Sequence, residues 1–422
     1  MRFNPIILSL LENDLYKFSM GQAIYHQFPG YKTTWTFKCR NNDVVFTREM
    51  VAEIREQIYS YCLLRFRPEE LDYLDSIKWI QGSYVDFLRL WRPNFDDFDI
   101  RYTGGKKDSG CGLEIETRGT WLNTSMYEIP TLAIVNEVYF RMRYDGSDKT
   151  SPTYAALMED FGNRLDKKYD RIASGRWFAG TFSDFGLRRR LSAEAQELMI
   201  QKFMALRDSP EPFARCQTRF IGTSNVYLAK KYGITPVGTM AHEWIMCAGQ
   251  GNHKHTPAYS NWYALDAWVK EYGVLNGTAL TDTITTDCFL RDFQLTYATL
   301  FSGVRHDSGD PLDWGDKMLM HYRKLGVDAH GKTLLFSDSL NFQAADRIYR
   351  HFQDRCKVAF GIGTYLTNDT CVPPLNIVMK TTRCNGQDVA KLSDVEGKGM
   401  CKNQDYVDYL RRAIDWRMQH ET

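Results

Sequence analysis

The feature that most restricts this chain is a rhythm in its second half. Short apolar runs end in Gly, Ser, Thr or Asp, and a helix-forming segment follows each: "RFIGTSN", "TPVGTMAH", "LTDTITTD", "FSGVRHDSGD", "TLLFSDSLN" and "KVAFGIGT". Their polar ends fall near residues 222, 239, 282, 305, 338 and 363. A buried run that stops at turn residues and feeds a helix is a βα unit. Its repetition builds a parallel sheet, because only a crossover brings the chain back to the same end of the sheet. Chemistry-capable residues at the strand ends suit a parallel barrel with its site at the C-terminal rim. A doubly wound open sheet fits the same pattern.

The first 135 residues read differently, as α+β. Helical "REMVAEIREQIYSY" alternates there with strand-like "TTWTFKCR", "FDIRYT" and "LEIETRGTWL". At 422 residues the chain exceeds one ordinary core, so two domains are expected. Charge excludes one class of partner. With 53 basic against 52 acidic residues the net charge is +1, so no global field draws the chain to nucleic acid or to an anionic membrane. Any bound anion needs a local cluster. The ten cysteines form no CxxC pair, no secretory leader is recognisable, and no run of 18 apolar residues occurs. These features predict reduced thiols in a soluble, cytoplasmic protein.

Several strand ends carry chemistry. "FIGTSNVYLAKKYG" places Gly222, Thr223, Ser224 and Asn225 before a helix, where free N–H groups and hydroxyls suit an anion as well as a plain helix cap. "VAFGIGTYLTND" repeats this with Gly361, Gly363 and Thr364. "GVRHDSGDP" crowds Arg305, His306, Asp307, Ser308 and Asp310 together; Arg grips carboxylate or phosphate through paired hydrogen bonds, and an Asp can hold sugar hydroxyls or water on Mg²⁺. In "SDFGLRRRLS" Phe185 can stack on a planar ring while Arg188 reaches an anion, although basic runs are also common on solvated faces. "NDLYKFSM" places Tyr16 and Lys17 on a short helix, with core packing the default for Tyr16.

"VGTMAHEW" puts His242 at a strand end. The HExxH metalloprotease pattern requires a second histidine at 246, and Met246 stands there. His253 and His255 in "GNHKHTP" leave a transition-metal site with His242 as a competing idea.

Taken together, "LYKFSMGQAIYHQFP", "DFGLRRR", "FIGTSNVYLAKKYGITPVGTMAHEW", "TDTITTD", "GVRHDSGDP", "FSDSLN" and "FGIGTYLTND" resemble the nicotinate phosphoribosyltransferase family, in the family's order, as far as about residue 380. The resemblance implies an irregular, incompletely closed α/β barrel over residues 136–385 and an N-terminal α+β domain over 1–135, rejoined by 386–422, where "KLSD" is similar to a family segment. It implies ATP-coupled synthesis of nicotinate mononucleotide and diphosphate from nicotinate and phosphoribosyl pyrophosphate with Mg²⁺, the first step of NAD formation from nicotinate. By the same resemblance, Tyr16 and Phe185 sandwich the pyridine ring, with Tyr16 open to supply by the second subunit of a homodimer. Arg188 and Arg305 lie at nicotinate and the phosphates, Thr239 is a further nicotinate-site residue, and Arg40 faces the pyrophosphate. Asp307 and Asp338 hold ribose hydroxyls, and Gly361, Gly363 and Thr364 cradle the 5-phosphate. Ser224, where relatives preferring nicotinamide carry an aspartate, favours the acid over the amide because a hydroxyl can donate to a carboxylate. His242 is implied to accept the γ-phosphate of ATP, with Glu243 either orienting it or facing solvent. A barrel metallohydrolase and a catalytically silent binding protein are the competing readings.

Overall fold

The computed structural model describes residues 4–104, 111–175, 180–208, 218–253, 255–395, 399 and 401–420. Its strands, in chain order, are β1 (Lys32–Cys39), β2 (Phe98–Tyr102), β3 (Leu113–Thr120), β4 (Thr181–Asp184), β5 (Arg219–Thr223), β6 (Thr235–Pro236), β7 (Thr278–Leu280), β8 (Gly303–His306), β9 (Thr333–Phe336), β10 (Lys357–Ile362), β11 (Ile377–Cys384) and β12 (Gln387–Asp388). They form two sheets. One is antiparallel with order β12-β11-β1-β3-β2; the other is parallel with order β6-β5-β4-β10-β9-β8-β7.

The parallel sheet curls without closing, since β6 and β7 are its two edges. This is the incompletely closed barrel, and the doubly wound alternative falls. The long connection from β6 to β7 occupies the open side. It carries a single helical turn, His242–Trp244, a π-helical turn, Ile245–Gln250, and the helix Ser260–Tyr272. π-helical turns interrupt regular hydrogen bonding and recur at functional sites.

Two features of the domain layout differ from the boundaries expected above. In the antiparallel sheet β11 pairs with the central strand β1, with Trp35 opposite Thr381 and Phe37 opposite Met379, so the chain returns to the N-terminal domain at residue 377 rather than 386. The helix Gln404–His420 then packs on the barrel side. Leu410 and Ile414 bury against Ala258, Ile284 and Cys288, and Arg417 meets Asp292 Oδ1 at 2.5 Å and lies 3.8 Å over the Tyr259 ring. The reason is local: this helix carries its apolar residues as a small separate cluster, and the matching surface lies beside β7.

A continuous aromatic contact joins the domains. Trp121, which follows β3, lies 5.7 Å from Trp244, which in turn lies 5.3 Å from Trp268. The helix Leu15–Gln27 docks its start on the barrel rim: Leu15 N–H donates to Ser224 C=O at 2.9 Å, and Asp14 bridges to Asn225. Gly238 permits the approach, because a Cβ there would stand 2.9 Å from the Tyr16 nitrogen. Among the described residues, no helix is long and apolar enough to cross a membrane.

Candidate active site

The rim of the parallel sheet surrounds a cavity of about 530 Å³. Its walls bring Arg40, Arg188, Arg189, Arg305, Lys380 and Lys391 against Asp307, Asp338 and Asp369. That excess of cations is the local anion-binding cluster that a chain of near-zero net charge requires. Burial pushes the Lys380 ammonium down to about 8, and burial together with Arg188 lowers Arg189 to about 10. Cations held together this way gain from a bound anion. A second, inner cavity of about 40 Å³ adjoins the first and shares Arg188, His242, Arg305, Asp307 and Lys380 with it. Tyr16, Trp35, Ala241, Glu128, Glu243, Met246 and Thr381 complete its walls.

Strand ends supply most of these groups. At the end of β4, buried Asp184 accepts from the Thr223 hydroxyl at 2.7 Å, the Gln196 amide at 2.7 Å and the Gly186 N–H at 2.7 Å. Those bonds fix the turn that carries Phe185 and Arg188. Arg305, next to last in β8, has its guanidinium already spoken for: Nη1 donates to Thr239 Oγ1 at 2.6 Å and to the Met240 carbonyl at 3.1 Å, and Nε donates to Ser337 Oγ at 3.1 Å. Its remaining nitrogen, Nη2, lies 3.6 Å from Asp307. Although burial disfavours the Asp307 carboxylate, Arg305 holds it down to about 2.

His242 is 4% exposed, and its Nε2 lies 2.8 Å from Asp282 Oδ1 and 2.8 Å from Lys391 Nζ. Lys391 also donates to Asp282 Oδ2 at 2.9 Å, and the Ser308 hydroxyl donates to that same oxygen at 2.5 Å. Burial, with Lys391 beside it, lowers the imidazole to about 4, so His242 is neutral at pH 7. Burial opposes the Asp282 carboxylate too, but its partners hold it well below the usual range. Nε2 thus meets both an acceptor, ionised Asp282, and a donor, the Lys391 ammonium, while Nδ1 forms no hydrogen bond among the described residues.

Tyr16, Phe185, Arg188, His242, Arg305, Asp307, Arg40, Asp338, Gly363 and Thr364 all line one or both cavities. Tyr16 reaches the inner cavity from its own chain. Three expected residues do not line either cavity. Ser224 is buried and its hydroxyl donates to Asp14 at 2.6 Å. Thr239 acts through Arg305. Gly361 lies under Phe185, where a Cβ would come within 2.4 Å of the ring. Its lack of a side chain makes room for the ring rather than for a phosphate.

Asp310 caps the helix Pro311–Lys324 instead of facing the cavity. His253 meets the Asn385 carbonyl at 2.8 Å, and His255 stacks on Tyr263 at 3.5 Å, so neither joins His242. Glu243 faces neither solvent nor the imidazole; it accepts from Lys17 and Trp121. The sequence reading missed Arg189, Lys380 and Lys391 as cavity residues. Arg189 stands beside Arg188 in the basic run, Asp282 ends a recognisable unit in "LTDTITTD", and Lys391 opens "KLSD", but Lys380 sits in a strand with no motif around it.

An open parallel barrel whose rim holds a cation-rich cavity around a carboxylate-held histidine defines an α/β-barrel enzyme with an anion-binding active site. Comparison with known proteins narrows that class. Residues 181–417 match the model of the nicotinate phosphoribosyltransferase (NAPRTase) family, and residues 11–136 match its N-terminal domain. The nicotinate phosphoribosyltransferase of Verminephrobacter eiseniae is 44% identical over 418 residues, covering 97% of this chain and 98% of the relative. That of Burkholderia mallei is 43% identical over 411 residues, covering 97% of each. Crystal structures of nicotinate phosphoribosyltransferases from Vibrio cholerae (31% identity, TM-score 0.85, 100% of this chain and 99% of that one) and Porphyromonas gingivalis (32%, 0.82, 97% and 100%) share the fold. The chain belongs to the nicotinate phosphoribosyltransferase family.

Proposed function

We propose that this enzyme transfers the phosphoribosyl group of 5-phosphoribosyl 1-diphosphate to the ring nitrogen of nicotinate and releases diphosphate. The product, nicotinate mononucleotide, is the first intermediate from nicotinate toward NAD. The observation that carries this reading is the meeting of the two cavities: a cation-lined space opens onto a smaller one walled by Tyr16, with Phe185 on the larger side and Arg188 and Arg305 shared. Phe185 and Tyr16 offer ring faces on either side of this junction for a planar base, and a shared guanidinium offers a partner for its carboxylate. Arg40, Gly363, Thr364 and Asp338 take the phosphoribosyl end. In the transition state positive charge grows on the sugar while diphosphate leaves on the opposite face, so Asp307 at the rim stabilises the first and the cations the second.

His242 is assigned as acceptor of the γ-phosphate of ATP. A neutral imidazole is a competent nucleophile, and in the tautomer that donates Nε2–H to Asp282 the Nδ1 lone pair, which meets no hydrogen-bond partner among the described residues, attacks the γ-phosphate and displaces ADP. A phosphorylated form that binds phosphoribosyl pyrophosphate more tightly than the bare form converts ATP hydrolysis into affinity. Mg²⁺ belongs on the diphosphate oxygens rather than on protein side chains: both oxygens of Asp282 are taken by His242, Lys391 and Ser308, which leaves Asp307 as the carboxylate beside them to meet the ion's water. When bound, Mg²⁺ supplies positive charge to the leaving diphosphate. The thiols among the described residues are unpaired, which supports a reducing, cytoplasmic setting.

The deciding experiment incubates the protein with nicotinate, phosphoribosyl pyrophosphate and Mg²⁺, with and without ATP, and separates the products by chromatography. Mononucleotide is expected in both reactions, faster with ATP. No mononucleotide in either refutes the reading, and equal rates refute the coupling.

A further inference from the structure

Beneath the inner cavity lies a charged cluster that the reaction described above does not use. Lys17 is fully buried, and its ammonium lies 2.8 Å from Glu128 Oε2 and 2.5 Å from Glu243 Oε2. The other oxygen of Glu243 accepts from the Trp121 indole at 2.8 Å, and the other oxygen of Glu128 lies 3.7 Å from Arg188 Nη1. The ammonium also sits 4.7 Å over the Trp35 ring. Both carboxylates line the inner cavity.

The members come from separate parts of the chain, and each stands next to a group at the site. Lys17 follows Tyr16 on the helix Leu15–Gln27; Glu243 follows His242 on its single helical turn; Glu128 reaches Arg188 directly. A three-residue turn that runs on into a π-helical turn has little rigidity of its own. Two carboxylates buried side by side repel each other unless a cation stands between them, and here one ammonium does so for both.

We propose that Lys17 is a positioning residue: its ammonium, shared by Glu243 and Glu128, holds the His242 turn and the Tyr16–Arg188 base site in register with each other. This rests on the reading of His242 as phosphoryl acceptor and of Tyr16 and Arg188 as the base site. Glu243 is the arm toward His242, and Glu128 is the arm toward the base. Removing one arm therefore disturbs one half of the reaction, and removing the node disturbs both.

The test compares Lys17→Met, Lys17→Arg, Glu243→Gln and Glu128→Gln with wild type. It measures the KM for nicotinate without ATP, the rate ratio with and without ATP, and labelling of the protein by γ-labelled ATP. Each readout is expressed per folded molecule. Glu243→Gln is expected to lose most of the ATP stimulation and the labelling with little change in nicotinate KM. Glu128→Gln is expected to raise nicotinate KM about tenfold and keep the stimulation. Lys17→Met shows both defects, and Lys17→Arg, which keeps the charge, recovers at least part of each.

A role in folding alone lowers the folded yield but leaves both readouts of the folded fraction at wild-type values, and that result overturns the proposal. So does a pair of arm variants with indistinguishable defects. Should Lys17→Met fail to fold, the two arm variants decide, since glutamine keeps their shape and hydrogen-bonding capacity. A wild-type enzyme that makes no mononucleotide removes the underlying functional reading; a wild-type enzyme that works while the arm variants match it removes only the role of Lys17.

Discussion

Gly361→Ala separates two roles for one residue: cradle of a phosphate, as the family resemblance implies, or floor under Phe185, as the fold shows. A Cβ at this position stands 2.4 Å from two atoms of the Phe185 ring and 3.0 Å from a third, whereas ordinary contact begins at 3.4 Å. The ring must retreat by about 1 Å at its nearest atoms, and it borders the cavity where the base is to stack. Forcing an extra carbon into packed surroundings destabilises by roughly 1–3 kcal/mol. Loss of good ring-to-ring geometry is worth roughly 0.5–1.5 kcal/mol. The variant is therefore expected to unfold at lower urea concentration and to raise the nicotinate KM roughly two- to tenfold. Its KM for phosphoribosyl pyrophosphate should be nearly unchanged. Initial rates over a grid of both substrates make the distinction. A rise confined to phosphoribosyl pyrophosphate, with nicotinate KM at its wild-type value, would refute the reasoning and restore the phosphate cradle.

Three further outcomes follow from the same geometry. His242 has its imidazole lowered from 6.5 to about 4, so between these values the unfolded chain takes up a proton that the native state refuses. Stability contributed by keeping it neutral is present above pH 6.5 and is lost as pH falls toward 4, by about 3 kcal/mol at the acid end. His242→Asn should flatten that part of the urea-midpoint profile, and an unchanged acid slope counts against the assignment. Lys380, pushed down to about 8, is charged below that pH and neutral above it. The KM for phosphoribosyl pyrophosphate should therefore climb from pH 7 to 9, and Lys380→Met should raise it at pH 7 and abolish the climb. Ser224→Asp puts a second carboxylate where the Ser224 hydroxyl now donates to buried Asp14 at 2.6 Å, so it should destabilise by at least ~1–3 kcal/mol rather than open the site to nicotinamide. A stable variant that turns over nicotinamide as fast as nicotinate would contradict this placement.

Much of the molecule was legible before any coordinates. The βα rhythm and its polar strand ends foretold a parallel sheet with chemistry at one rim, and Arg305, Asp307 and Asp338 stand there. A neutral net charge demanded a local cation cluster, and one exists. These features are readable because they are periodic or compositional: burial imposes spacing on a strand, and turn chemistry marks where it stops. The site residues that escaped notice have neither signal. Lys380 lies within β11, and Lys391 becomes the neighbour of His242 only because the chain leaves the barrel after β10 and comes back through the antiparallel sheet.

The sequence by itself determined a parallel sheet of βα units, the anion-binding character of its rim and the list of strand-end groups, since each depends on residues close together in the chain; that the sheet curls into an open barrel was settled by the fold. The tertiary structure alone decided what those groups touch. It turned Ser224 toward Asp14, put Gly361 under a ring, and set Asp282 and Lys391 on His242. It also drew Lys17 and Glu243, 226 positions apart, into one buried pair. The physical reason is that a desolvated charge must find its partner wherever the fold puts one, and separation along the chain sets no limit on that choice.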